Sequence, residues 1–398
     1  MTQSQRLAYL DVWIDGVPMA DAVGKIRRLQ VEERADDVSS FHMTLDMAPA
    51  EGDWTQLADG RFALLHRMTI GFGLGSPDEK APAVKDVVFD GYITAVEPVF
   101  GPDRTSDSSL ELFGLDAGCL MHLEERQRRF DGLSDSAIVK QIYTEYGFVT
   151  SGDSIEATTP NRDPDRGTML QRGTDADFIR MLARRHGFEA YVERAPGPVK
   201  AGAAAAPECV GHFHRPRPDR DKQPTLALTP HQAPTLIEMK ARWESHRPSE
   251  IRAEHLDERT RRIRSSTITQ PRFARLGKTG RGDIITSKLA TILPKRPALV
   301  AVGLQHVDVP HEQSEVGNLA WSDFLAADWL VEATARVRAT RYAKILRARR
   351  PVGVAGAGKL LDGTWYVKAV RHCWTWDDEE NQYELDAELV RDALNGIG

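Results

Sequence analysis

The stretch Gln171–Glu193, QRGTDADFIRMLARRHGFEAYVE, constrains this chain most, because it specifies a capped helix running into a strand. Thr174 is a good N-cap, and Asp177 follows at capping-box spacing, with Asp where Glu is more usual. Phe178, Ile179, Met181 and Leu182 recur at helical spacing and make one apolar face. Gly187 stands where a left-handed C-terminal residue belongs. Phe188-Glu189-Ala190-Tyr191-Val192-Glu193 then alternates as a half-buried strand does. An upstream unit repeats the scheme: Ser134 caps, Ile138, Ile142, Tyr143 and Tyr146 give the face, and Gly147-Phe148 ends it before the short run Val149-Thr150. By local physics alone, both have the make-up of ordinary core helices.

What surrounds these units reads as β-structure. Over residues 1–118 the strand candidates are Ala8–Ile14, ending at the turn Asp15-Gly16, then Ile26–Glu33, Ser39–Met47, Met68–Leu74, Val87–Phe100 and Ser108–Leu115. In Ser39–Met47, Phe41, Met43, Leu45 and Met47 alternate with His42, Thr44 and Asp46. Several strands with polar turns suggest a small antiparallel barrel or sandwich. Residues 119–234 form an α/β insertion with a flexible Ala/Pro/Gly loop near 195–224, and Cys209–His214 and Thr225–Thr229 are expected to pair as a hairpin. Residues 235–398 return to strands: Thr235–Trp243, Ser249–Asp257, Thr364–His372 and Tyr383–Val390. Periodicity is weak over 265–300. An inserted helix is expected near 318–345 from Leu319, Phe324, Leu325, Trp329, Ala333 and Val337, with Pro351 as a stop.

Composition narrows the function. The 398 residues carry a net charge of −6, against the basic balance of a general polyanion binder, so no specific nucleic-acid binding is expected. The basic clusters Arg215–Arg220, Arg259–Arg264 and Arg336–Arg350 read first as solvated faces. Three scattered cysteines, Cys119, Cys209 and Cys373, argue against a disulfide framework and for a reducing compartment. The N-terminus lacks the make-up of a signal peptide, and no apolar run approaches the ~20 residues that span a bilayer. Synthesis in a reducing compartment is the expectation.

No motif commits the chain to catalysis. Gly353–Lys359 fits the first seven positions of a phosphate-binding loop, but the eighth is Leu360, where a magnesium-binding hydroxyl is required, and the context is wrong. His212 and His214 share a strand face without a completing pair of ligands. His306 and His311 are likewise unsupported. His372 and Cys373 are strand neighbours and point to opposite faces, so they cannot be a catalytic pair. Glu124-Glu125, Asp163/Asp165 and the 377–380 cluster give no evidence of carboxylates set across a cleft. No catalytic, cofactor-binding or metal residue is assigned.

The order of the pieces carries a resemblance. SSLELFGLDAGCLMHLEERQRRFDGLSDSAIVKQIYTEYGF resembles the segment of phage tail hubs where a barrel strand leads to a loop and a short helix. QRGTDADFIRMLARRHGFEAYVE resembles the helix–strand signature that follows, shared with the N-terminal hub region of VgrG proteins of type VI secretion. LLDGTWYVKAVRHCWTWDDEENQYELDAELVRDAL is similar to the closing hairpin, at Gly363, Trp365, Tyr366, Val367, His372, Tyr383 and Arg391. The chain thus resembles the late control D family, the baseplate hub of contractile tails, over most of residues 85–395. That resemblance implies a mainly β fold with α/β insertions: two tube-type β-barrels, residues 1–118 and 235–398, plus a small α/β element. It also implies a homotrimeric ring that joins a hexameric inner tube to a trimeric spike, and no enzymatic activity. Expected partners are a separate spike protein, the inner tube protein and other baseplate or wedge proteins, in a virion tail or an injection particle. Phe178, Met181, Leu182, Gly187, Gly363, Trp365, His372 and Tyr383 are the structural or interface candidates. The alternatives are a tail-associated peptidoglycan hydrolase and a cargo-carrying hub of an extracellular injection system.

Overall fold

The computed structural model describes residues 7–50, 53–58, 60–75, 84–101, 108–159, 168–197, 199, 208–228, 234–257, 260–295, 298–302, 313–342, 344–376 and 381–396. The first β-rich segment contributes β1 (Leu7–Ile14), β2 (Ile26–Arg34), β3 (Ser40–Asp46), β4 (Arg67–Gly75), β5 (Val84–Val99) and β6 (Ser109–Asp116). Then come β7 (Glu125–Phe130), α1 (Asp135–Glu145), β8 (Met169–Thr174), α2 (Asp175–His186), β9 (Glu189–Arg194) and β10 (Cys209–His214). The remainder is β11 (Gln223–Ala227), β12 (Leu236–Trp243), β13 (Glu250–Asp257), β14 (Arg262–Ile268), α3 (Arg281–Ile292), β15 (Val300–Val302), α4 (Gln313–Asp328), β16 (Val331–Arg338), β17 (Pro351–Ala355), β18 (Gly363–Trp376) and β19 (Asn381–Arg391).

The two β-rich segments share one sheet, ordered β12-β16-β19-β18-β2-β3-β6-β5-β4-β1, with β11 and β17 branching from β18. The seam is β18 against β2, from Ala369↔Arg34 to Thr375↔Arg28. Two long strands change partner part-way. Strand β5 pairs with β4 as far as Tyr92 and with β6 from Gly91. Strand β18 pairs with β17 over Gly363–Tyr366 and with β2 from Ala369 on. Each has a register shift near the change, at Ile93/Ala95 and Val367/Ala369, and such bulges bend a strand and let it serve two neighbours. One apolar core takes side chains from both segments, among them Leu10, Phe72, Val337, Trp374 and Leu385. Phe72 lies 4.5 Å from the Tyr383 ring and 5.4 Å from His372.

Two excursions leave the sheet. Residues 117–222 run between β6 and β11, and residues 244–330 run between β12 and β16, which meet at Trp243↔Val331. The first holds the pairs β7/β8 and β9/β10 with α1 and α2. The second holds the three-stranded sheet β14-β13-β15 with α3 and α4.

Three sequence expectations need correction. Cys209–His214 does not pair with the following strand; it pairs with β9, and β11 instead lies parallel to β17. The helix expected near 318–345 ends at Asp328, and Val331–Arg338 is a strand. There Val331, Ala333, Ala335 and Val337 face the core and Glu332, Thr334 and Arg336 face out, so period-two burial overrides the helix propensity of alanine. Pro351 opens β17 rather than merely ending a helix. Most of the Ala/Pro/Gly stretch 195–207, together with His306, His311, Asp163, Asp165 and the 377–380 turn, lies outside the described residues.

Candidate functional site

The side chains that tie these regions together meet in a buried polar centre. Strand β2 supplies Glu33, β5 supplies Asp86, β9 supplies Glu193, the segment before β17 supplies Arg347, and the hairpin β18–β19 supplies His372 and Tyr383. Arg347 Nε donates to Glu33 Oε1 at 2.9 Å, Nη1 donates to Asp86 Oδ2 at 2.9 Å, and Nη2 reaches Glu193 Oε1 at 3.3 Å. Burial opposes the charge on Glu33, but Arg347 overrides it and holds the carboxyl far below the usual carboxylate range. Burial likewise opposes the Arg347 charge, and Glu33, Glu193 and Asp86 raise its pKa well above the ordinary value.

His372 is fully buried, and desolvation lowers its pKa. Its Nδ1 lies 2.7 Å from the Tyr383 hydroxyl, and its Nε2 lies 3.7 Å from Glu33. A neutral ring that accepts the tyrosine O–H at Nδ1 carries its proton on Nε2, facing the carboxylate. The adjacent Cys373 faces the other way, 3.9 Å from Gln30 Nε2. This centre holds a histidine, carboxylates and a tyrosine, but Glu33, His372 and Tyr383 are buried and face one another, so the arrangement fastens elements rather than presenting a nucleophile.

Further links join the first excursion to the sheet. Asp90 accepts from Arg67 at 2.7 and 2.6 Å and from Arg194 at 2.6 Å. The Tyr366 hydroxyl lies 2.8 and 2.7 Å from the two oxygens of Glu189, and burial pushes that carboxyl up to about 7. Asp116 accepts from the Ser39 and Gly118 backbone amides at 2.6 and 2.8 Å, while burial raises it to about 6.

The helix unit that dominates the sequence is built as its residues dictate. Thr174 Oγ1 accepts from the Asp177 amide at 3.2 Å, and Gly187 closes α2 at φ 65°. Phe178 and Leu182 are buried, and Met181 is half-buried against the same core. Gly187 abuts α4: a Cβ there would stand 3.2 Å from Leu325 and 3.3 Å from the Ser322 backbone and the Trp321 ring. Ser322 also donates to the Arg184 carbonyl, and Arg185 pairs with Glu315 at 3.0 Å in the interior.

At the closing hairpin, Gly363, Trp365 and Arg391 come together. Trp365 Nε1 donates to the Leu361 carbonyl at 2.9 Å, and Arg391 donates to the carbonyls of Leu361, Asp362 and Leu276 at 3.1, 3.1 and 2.8 Å. Gly363 has φ 127°, and a Cβ there would stand 3.2 Å from the Arg391 guanidinium. Each of the eight candidate residues is thus placed. Arg347, Glu33, Glu193 and Asp86 escaped sequence reading, because partners separated by up to 314 residues leave no local pattern.

The remaining motifs fall into plain structural roles. His212 stacks on Tyr191 at 4.4 Å, His214 lies 2.7 Å from the Arg215 carbonyl, and burial lowers them to about 4 and about 3. No group of three or more His, Cys, Asp or Glu suited to a metal occurs among the described residues. The Gly353–Lys359 stretch runs from β17 through glycines at φ 88° and 86° toward β18, strand to strand. A bowl of about 280 Å³ on the solvent face of the main sheet is lined by Glu32, Lys240, Arg336, Arg371, Asp386 and Glu388. Cross-strand pairs fill it with matched charge, including Arg371–Glu32 at 3.0 Å. No helix among the described residues is long and apolar enough to cross a membrane.

No protein-family model and no curated protein matches this chain. Solved structures do. A tail protein from Neisseria meningitidis MC58 is similar at 13% identity, with 97% of each chain covered and a TM-score of 0.59. The 43 kDa tail protein of prophage MuSo2 from Shewanella oneidensis is similar at 12% identity, with 97% of this chain and 99% of that one covered and a TM-score of 0.60. The E. coli c3393 protein, a component of the type VI secretion system, is similar at 11% identity, with coverage of 96% and 76% and a TM-score of 0.52. At these identities the likeness is one of fold: the chain has the fold of phage tail proteins and of VgrG-like secretion components.

Proposed function

We propose that this chain is a structural baseplate component of a contractile tail or injection apparatus, and within it the hub: three copies form a ring that adapts the hexameric inner tube to the trimeric spike. The observation that carries the reading is the likeness to tail proteins along 97% of the chain, with almost the whole of their length covered in return. The buried polar centre supports a mechanical role. Its carboxylates, arginine, histidine and tyrosine link five elements to one another. On this reading Phe178, Met181, Leu182 and Gly187 fix the packing of the two excursions, and Gly363, Trp365, His372 and Tyr383 fix the closing hairpin. Both sets brace a body that carries load between rings, and the hub's partners are the tube, the spike and the neighbouring wedge proteins. Its affinity would come from subunit interfaces, which in obligate assemblies bury roughly 2,000 Å² or more.

The test is the native mass of the purified chain by light scattering across a concentration series, followed by imaging with tube and spike proteins added. A mass that climbs to three chains, and a ring that seats on a tube, are expected. A dimer, or a strict monomer that the spike does not assemble, overturns the ring. Clearing of cell-wall material in a zymogram would replace the structural reading with that of a hydrolase.

A further inference from the structure

We infer that the hollow where the two excursions meet is a docking socket for an acidic segment of another protein, which inserts one aliphatic side chain such as leucine. Such a socket goes beyond the hub reading and needs no ring. Pro216 and Pro218, just after β10, line one side of the hollow, and Phe273, Trp321 and Leu325 of the second excursion line the other. Its volume is about 40 Å³. That is far below the roughly 300–1,000 Å³ of small-molecule sites and suits the end of one aliphatic side chain. The walls are held apart. Gly187 seats α2 against Trp321 and Leu325, Ser322 donates to the Arg184 carbonyl, and Arg275 holds Asp328 at 3.2 Å. The proline rings add walls of fixed φ. Phe273 stands 41% exposed, edge-on to Trp321 with centroids 5.5 Å apart. An aromatic ring left in water beside a preformed hollow gains when a partner covers it.

Three unmet demands say what covers it. The hollow itself asks for an apolar filling. The Arg272 guanidinium lies 5.0 Å from the Trp321 ring and has no carboxylate partner among the described residues. Burial lowers its pKa, and no neighbouring carboxylate offsets that. Trp321 is 3% exposed, and its indole N–H has no acceptor among the described residues. The other charges at the hollow are engaged. Arg215, 4.2 Å over the Phe273 ring, reaches Asp219 at 3.3 Å; Asp328 has Arg275; Asp392 accepts the Leu276 amide at 2.8 Å. An acidic peptide segment answers all three demands, with an aliphatic side chain, an adjacent carboxylate and a backbone carbonyl. A basic segment meets Arg215 and Arg272 as like charges.

The experiment titrates the full chain, labelled with 5-fluorotryptophan, with a capped Glu-Glu-Leu-Glu-Glu peptide. Glu-Glu-Ala-Glu-Glu and Lys-Lys-Leu-Lys-Lys are the comparators. The Trp321 fluorine resonance is assigned by its disappearance in Trp321→Phe. The acidic leucine peptide should move that resonance saturably, at least about tenfold more tightly than either comparator, and less tightly as salt rises. Arg272→Glu changes an exposed residue outside every strand and helix, so the other tryptophan resonances should stay in place. It should bind the acidic peptide at least about tenfold more weakly. Ala274→Leu, at an exposed residue of the lining, plugs the hollow and should weaken the leucine peptide as much. A Trp321 resonance that the acidic peptide leaves unmoved, or equal binding by all three peptides, overturns the socket. So does Arg272→Glu binding as the parent does. An oligothymidylate that moves the same resonance at lower concentration overturns the peptide as occupant.

Discussion

The two excursions from the main sheet are built from similar parts and differ in how far they are finished. The first, residues 117–222, closes around its own core: Phe130, Ile138, Ile142, Tyr143, Phe178, Leu182 and Phe213 are all in its interior. It is also fastened to the sheet by Arg347–Glu193, Arg194–Asp90 and Tyr366–Glu189. The second, residues 244–330, has a small core of Ile251, Ala253, Val316, Ala320 and Phe324. Its helix α3 buries only Arg281, and the chain beyond it shows Leu293 53% exposed. What steadies the second is partly the first, through Arg185–Glu315 and the seat of Gly187 on α4. Secondary structure alone therefore does not make a layer stable; buried apolar area and completed polar links do.

The largest effect should come from cutting the fastening of the first excursion. Arg347→Ala would leave Glu33 in the interior without its guanidinium, with Glu193 and the part-exposed Asp86 beside it, and breaking such a buried pair costs about 3–5 kcal/mol. Denaturant unfolding of the variant should show that loss near neutral pH. The loss should shrink in acid. Glu33 has a folded pKa held below its unfolded value, so its contribution is present above about 4.5 and fades as pH falls through the folded value. Next is Leu182→Ala, which empties a fully buried site in the first core and should cost about 3 kcal/mol in the same measurement.

A titratable link separates the excursions in another way. Burial raises Glu189 from 4.5 to about 7, so the folded chain holds a proton that the unfolded chain has lost. Stability from this group is complete below about 4.5 and declines as pH rises toward 7. Glu189→Gln removes the titration. Relative to the parent, the variant should gain on the order of 3 kcal/mol between those limits and no more beyond them, read from melting curves across pH. Gly187→Ala acts at the contact between the excursions. It forces a side chain into the left-handed region and against Leu325 and Trp321, and should cost about 1–2 kcal/mol in unfolding free energy. Its mark should be faster amide exchange in α4 as well as in α2.

Legibility in the sequence followed the same divide. Where one residue's role is set by its neighbours in the chain, sequence reading reached it. Thr174, Gly187 and the alternation of Phe41, Met43 and Leu45 specify a cap, a helix end and a strand face without reference to anything distant. The strand beginning at Val331 was misread because Ala333 and Ala335 suit a helix until sheet burial decides between the two periods. The partner of β10 was misread because β9, its true partner, lies across a stretch of Ala, Pro and Gly, while β11 is nearer in sequence. The polar centre lay out of reach altogether. Glu33 is an ordinary exposed-looking residue of an alternating strand until Arg347 meets it, and nothing short of the assembled sheet brings them together. The weak periodicity of 265–300 had a physical cause: β14 and α3 bury little, so they carry little pattern.

The smallest effect tests the unfinished side of the comparison directly. Leu256→Ala and Ile263→Ala remove aliphatic side chains that are 55% and 68% exposed, so in the isolated chain each should change unfolding free energy by less than about 0.5 kcal/mol. The same chemical change at Leu182 removes a side chain with no exposure, so the contrast measures how far each excursion is finished rather than what the residues are. Amide exchange gives a second reading. Protection in β14 should be much lower than in β8 or β9, because among the described residues β14 is the last strand of its sheet and none of its side chains is fully buried. Leu256→Ala should leave that low protection unchanged in dilute protein. A cost comparable to that at Leu182, seen in dilute protein, would mean that the Leu256–Ile263 pair is already covered from within the chain. The two excursions would then be finished to the same degree, and the asymmetry between them would disappear.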